Sequence, residues 1–277
     1  MISTKKSLLN MRFYFYRLLI PICIGCLAAC SPKENPENAQ AETQPESQEV
    51  KITLAPVDSP EFPDSGLEML SPEEEATLPA GNVTFAYEVK NYQLGTQTLD
   101  ADIKQCANSA KGQHIHLILN NQPYSAHYTA NFEKTLEPGH YVALSFISRS
   151  YHESLKQYGA YNLRQFTVGD APATEMDLTA PHMFYSRPKG EYKGADAKKI
   201  LLDFYLINTD LAADGNKVRA TINGETFMID SWKPYFMEGL PMGENNVKLE
   251  LLDNQGNAIP GPYNAVERTF TLTADTV

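Results

Sequence analysis

Val83-Thr84-Phe85-Ala86-Tyr87-Glu88-Val89-Lys90 reads as a β-strand. Large apolar side chains stand at every second position with small or polar residues between them, the period of a sheet buried on one face. The pattern returns at Ile200-x-Leu202-x-Phe204-x-Leu206, and an asparagine follows each run, Asn91 and Asn208. Ile115-x-Leu117-x-Leu119-Asn120-Asn121 matches Val218-x-Ala220-x-Ile222-Asn223-Gly224. Leu136-x-x-Gly139 followed by Val142, Leu144 and Phe146 matches Leu240-x-x-Gly243 followed by Val247, Leu249 and Leu251. Turn signals are frequent, among them Glu137-Pro138-Gly139 and Gln255-Gly256, and no long stretch keeps a helical period. The expected fold is all-β: two tandem immunoglobulin-like or transthyretin-like antiparallel β-sandwiches. Repeat one is expected over 50–170 and repeat two over 171–277, with the boundary near Asp170-Ala171-Pro172-Ala173.

Residues 1–29 carry Lys5, Lys6, Arg12 and Arg17, no acid, and an apolar run, Leu18 to Leu27, too short to span a bilayer. Leu27-Ala28-Ala29-Cys30 resembles the lipobox of bacterial lipoproteins. That resemblance implies cleavage before Cys30, with diacylglycerol on its sulfur and an acyl chain such as palmitate on its nitrogen. Several chains anchor more firmly than one, because each buried methylene adds about 0.8 kcal/mol. Residues 30–49 then form the lipidated cysteine and a disordered tether rich in Glu and Pro. The expected address is the cell envelope, with the body in the periplasm or at the cell surface. Ser31 after Cys30 favours the outer membrane by analogy with known sorting rules.

Cleavage removes Cys23 and Cys26, and lipid occupies Cys30, which leaves Cys106 as the one free thiol and no internal disulfide. The leader also takes four basic residues, leaving 19 against 34 acids and a formal charge of −15. Such acidity argues against a nucleic-acid partner. The expected partners are the membrane, through lipid, and an envelope protein or small polar ligand.

The repeats differ where function can be added. Between matched strands repeat one carries about fourteen extra residues, an insertion over 95–113 that holds Cys106. It leads into His114-Ile115-His116, whose two imidazoles leave one face of a strand. Lys217 and Arg219 stand at the aligned positions of repeat two, so this face is expected to meet solvent. After the last matched strand of repeat one comes Ser148-Arg149-Ser150-Tyr151-His152-Glu153-Ser154. The expected polar ligand site is His114, His116, Arg149, His152 and Glu153, with no cofactor. The alternative is zinc or copper held by His114, His116 and His152, with Cys106 as a soft fourth ligand. Arg149 and Arg187, each after a serine, are expected in salt bridges across the joint of the repeats, or else facing an anion. The protein is expected to be a binding or scaffold module and not an enzyme. A hydrolase is a weak alternative, since serines stand near His152 but no G-x-S-x-G occurs.

Gly112-Gln113-His114-Ile115-His116, Ser148 to Ser154, Tyr185-Ser186-Arg187-Pro188-Lys189-Gly190 and Leu201-Leu202-Asp203-Phe204-Tyr205-Leu206 together resemble a family of uncharacterised bacterial exported two-domain proteins. The resemblance covers roughly residues 50–275, and some members are labelled phosphopeptide-binding protein. The forkhead-associated domain, which reads phosphothreonine, uses a Gly-Arg pair and a Ser-Arg-x-His loop. Here His152 stands one residue too far from Ser148-Arg149, and no Gly-Arg pair occurs.

Overall fold

The computed structural model describes residues 51–172 and 176–275. The leader, the lipobox with Cys30 and the tether lie outside the described residues. No described helix is long and apolar enough to cross a membrane.

The protein is all-β, and its two halves repeat one topology. In the first half a three-stranded sheet has the order β2 (Gly66–Ser71), β4 (Gly81–Lys90), β7 (Asn131–Leu136). It faces a five-stranded sheet of β3 (Thr77–Leu78), β9 (Tyr161–Val168), β8 (Gly139–Ser148), β5 (His114–Leu119) and β6 (Ser125–His127). The second half sets β10 (His182–Arg187), β12 (Ile200–Ile207) and β15 (Tyr235–Glu238) against β11 (Gly190–Lys193), β17 (Ala265–Thr273), β16 (Gly243–Leu252), β13 (Lys217–Ile222) and β14 (Glu225–Ile229). Pairing is antiparallel except at β3–β9 and β11–β17, equivalent parallel contacts in the two halves.

The asparagines noted in sequence are structural equivalents. Asn120 and Asn223 both have left-handed backbones, φ 49° and 48°, which asparagine tolerates well. Each amide oxygen accepts the N–H of the neighbouring strand, at Val142 (2.7 Å) and Asn246 (2.8 Å). Asn91 and Asn208 are left-handed too, and each amide donates back to a loop carbonyl.

One strand breaks the sequential order. β1 (Thr53–Pro56) pairs with β15, from Thr53 opposite Glu238 to Pro56 opposite Tyr235. Residues 53–56, expected in repeat one, therefore lie in the sheet of the second sandwich, and Ile52 is buried in its core.

Each half has its own core, and a third cluster joins them. Ile118, Val142, Leu144 and Phe146 of the first half pack with Phe184, Tyr205 and Ile207 of the second. This joint shifts one expected match. Ala143, Ser145 and Ile147 lie opposite Leu119, Leu117 and Ile115, as Val247, Leu249 and Leu251 lie opposite Ile222, Ala220 and Val218. Val142, Leu144 and Phe146 point the other way, into the joint. A strand covered on both faces offers no alternation to read, so the one-residue shift was hidden. Ser145, turned into the first core, is matched there by the Tyr87 hydroxyl at 2.7 Å.

The same joint overturns the expected exposure of the histidine face. His114 and His116 are wholly buried. The equivalent face of the second half stays open, and Arg219 there pairs with Glu250 at 2.9 Å while a third exposed.

A candidate three-histidine metal centre

His114 and His116 leave the same face of β5, and the loop after β8 brings His152 to them. His152 sits in a closed turn with φ 69°, its N–H donating to the Arg149 carbonyl at 2.9 Å. His114 Nε2 lies 2.8 Å from His116 Nε2 and 3.0 Å from His152 Nδ1, and the remaining edge is 3.5 Å. The Tyr124 hydroxyl is 3.3 Å from His152 Nδ1. These are the three described His, Cys, Asp or Glu side chains whose ligand atoms gather within 4.8 Å.

The insertion orients the first ligand. Gly112, at φ 82°, is packed so that a Cβ would run into the Thr96 carbonyl. Its own carbonyl accepts from His114 Nδ1 at 2.8 Å. A carbonyl can only accept, so the proton is on Nδ1 and the lone pair of Nε2 points into the cluster. The insertion is itself pinned to the His152 loop. The Ser150 N–H donates to Thr98 Oγ1 (2.9 Å), and the Ser109 N–H donates to the Ser150 carbonyl (2.9 Å).

Burial holds the imidazoles neutral. It pushes His114 down to about 4, against the pull of the Gly112 carbonyl and with help from the Arg187 charge. His116 and His152 are lowered too, by burial first, then by the neighbouring histidines at His116 and by the Arg187 charge at His152. Three neutral imidazoles with converging nitrogens are a ligand set for zinc or copper. Two nitrogens bound at about 2.0–2.1 Å to a tetrahedral zinc ion stand about 3.3 Å apart. The observed edges bracket that spacing.

The other residues singled out in sequence lie elsewhere. Cys106 is buried with Ala101 and Tyr151, and burial pushes its thiol up to about 11. It is not among the converging groups. Arg149 and Glu153 pair with each other at 2.7 Å, both nearly buried. Glu153 also accepts from Ser59 Oγ at 2.6 Å, and Arg149 donates to the Pro60 carbonyl. They bracket the chain before β2 to the loop that carries His152. The expected cross-joint salt bridges of the two Ser-Arg pairs do not form: Arg149 is paired inside its own loop, and Arg187 is in no described ion pair. Ser148 Oγ donates to the Arg149 carbonyl, and the polar neighbours of the His152 ring are His114, His116 and Tyr124. Sequence alone carries no signal for Tyr124, Tyr128 or Gly112 at this cluster. Their proximity to His116 and His114 depends on loop closure that has no local signature.

No family model matches the chain, and no curated protein is similar to it. Several solved structures are distantly similar. Fibronectin(III)-like modules of Clostridium thermocellum CbhA match 75% of this chain and 94% of their own at 11% identity, with a TM-score of 0.27. A segment of two fibronectin type-III domains from chicken tenascin matches 75% and 99% at 10% identity and a TM-score of 0.20. A Bacteroides ovatus glucan-utilisation protein, SGBP-B, solved with a mixed-linkage heptasaccharide, matches 74% of this chain and 47% of its own at 12% identity and a TM-score of 0.22.

Proposed function

We propose that the protein is a lipid-anchored, non-enzymatic envelope module that holds one zinc or copper ion on His114, His116 and His152. The observation that carries this reading is the convergence of three buried imidazole nitrogens, 2.8–3.5 Å apart, on one point. The Gly112 carbonyl behind His114 supports it, since ligating histidines commonly donate their second ring N–H to such a group. Three protein ligands leave a fourth position for water or an incoming donor. The lipobox supports the anchor.

Elemental analysis of protein purified without an affinity tag tests the metal. About one zinc or copper per chain is expected, and none in His114→Gln/His116→Gln. A metal-free protein that ignores both ions in titration rejects the reading. Cys30→Ala tests the anchor: the protein is expected to leave the membrane fraction, and unchanged membrane association rejects lipidation there.

A further inference from the structure

Three enclosed or half-enclosed cations of this chain hold a carboxylate. Lys104 has Asp100, Arg149 has Glu153, and Lys156 has Asp203. Three that lie together hold none. Arg187, Lys189 and Arg268 are in no ion pair among the described residues, although the chain has 34 acids and 23 bases. Lys189 Nζ donates to the Tyr124 carbonyl at 2.7 Å. Arg268 donates to the carbonyls of Tyr185 (3.2 Å) and Asn121 and lies over the Tyr185 ring. Arg187 is buried, and its Nε has no partner. Backbone carbonyls solvate Lys189 and Arg268 without neutralising them, and buried charge is ordinarily paired.

Two of the three edge a groove of about 690 Å³ where the halves meet. Asn121 to Pro123 line it from the first half, and Lys189, Gly190 and Arg268 from the second. Glu267 is the one carboxylate among its lining residues. Arg187 stands two residues from Lys189 on the strand leading into the groove.

We propose that this groove is a receptor for an oxyanion, the carboxylate or phosphate group of a small ligand, held by Lys189 and Arg268 with Arg187 adding its field. The site is separate from the histidine cluster, none of whose members lines the groove. The electrostatics agree. Lys189 is held down to about 8 by burial first and by Arg187 and Arg268 after it. An anion beside it raises that value, so binding takes up a proton near pH 8.

Calorimetric titration of the full chain with inorganic phosphate, and separately with citrate, tests the proposal. Measurements at pH 8 in buffers of different ionisation enthalpy report the proton. Binding of at least one anion with proton uptake is expected, weakened about tenfold or more in Lys189→Gln and in Arg268→Gln. Arg268→Lys, which keeps the charge, is expected to retain more affinity than Arg268→Gln, so loss of charge is separated from loss of fold. His114→Gln/His116→Gln should bind the anion unchanged, which keeps this result independent of the metal reading. Phosphate alone binding assigns a phosphate ligand, and citrate alone assigns a carboxylate. No heat with either anion at concentrations on the order of 10 mM overturns the proposal, as does an affinity indifferent to both glutamine substitutions.

Discussion

The Tyr124 ring lies flat on the His116 ring, centroids 3.5 Å apart and planes 14° apart. Lys189 Nζ is 3.9 Å from the centroid of the same tyrosine. Two groups cannot share one face at such distances, so Tyr124 is a partition with the histidine cluster on one side and the cationic groove on the other. It is fully enclosed, and it belongs to the cluster that joins the two halves.

Tyr124→Ala empties that partition. The expected loss is about 3–5 kcal/mol, the usual cost of truncating a buried aromatic side chain. Tyr124→Phe keeps the ring and removes one long hydrogen bond, so about 1 kcal/mol is expected. Urea denaturation of the metal-free chain measures both, and equal effects would mean that the ring carries no packing role.

Gly112→Ala should act on metal affinity through His114. The added Cβ meets the Thr96 carbonyl, so the turn must shift and take with it the carbonyl that orients His114. Loss of about 10–100-fold in zinc affinity is expected, as for other groups that orient a ligand. Gly256→Ala is the control, with a similar φ of 85° but open space around the new Cβ. If both variants lose stability and neither loses affinity, Gly112 does not position the ligand.

Glu153→Ala leaves the Arg149 guanidinium buried without its counter-charge. A cost of about 3–5 kcal/mol is expected. Arg149→Met/Glu153→Met removes both charges and should recover most of that loss, because the pair repays its own desolvation poorly. Burial already pushes the Glu153 carboxyl up, against the pull of Arg149. Chemical denaturation of the two variants decides; a double variant no better than the single one would show the pair to be worth more than its parts.

Acid should destabilise the metal-free fold. His127 stacks on Phe132, centroids 3.3 Å apart, and burial with help from Lys134 and His114 pushes it down to about 4. Unfolded, its value is about 6.5. The unfolded chain then binds the proton that the folded chain refuses, so stability present above pH 6.5 drains away as the pH falls towards 4. In His127→Gln the fall of the urea midpoint over this window should be shallower. An unchanged slope would mean that His127 titrates normally in the folded chain.

Much of the fold was legible because a strand buried on one face writes its orientation into the sequence. Val83 to Val89 declared the first sandwich in this way, Ile200 to Leu206 repeated its apolar spacing although that strand is buried on both faces, and the paired asparagines Asn120 and Asn223 declared their common turns by chemistry that few residues share. His-x-His at a strand spacing puts two imidazoles on one side of the strand. That is as far as local pattern reaches. The burial of His114 and His116, the true register of Ala143 to Ile147, the pairing of Arg149 with Glu153 and the unpaired state of Arg187 were all decided by the tertiary structure. The Arg149–Glu153 pair closes a local loop; the others depend on a second surface arriving from far along the chain, and period-2 alternation carries no information about what covers a strand's other face.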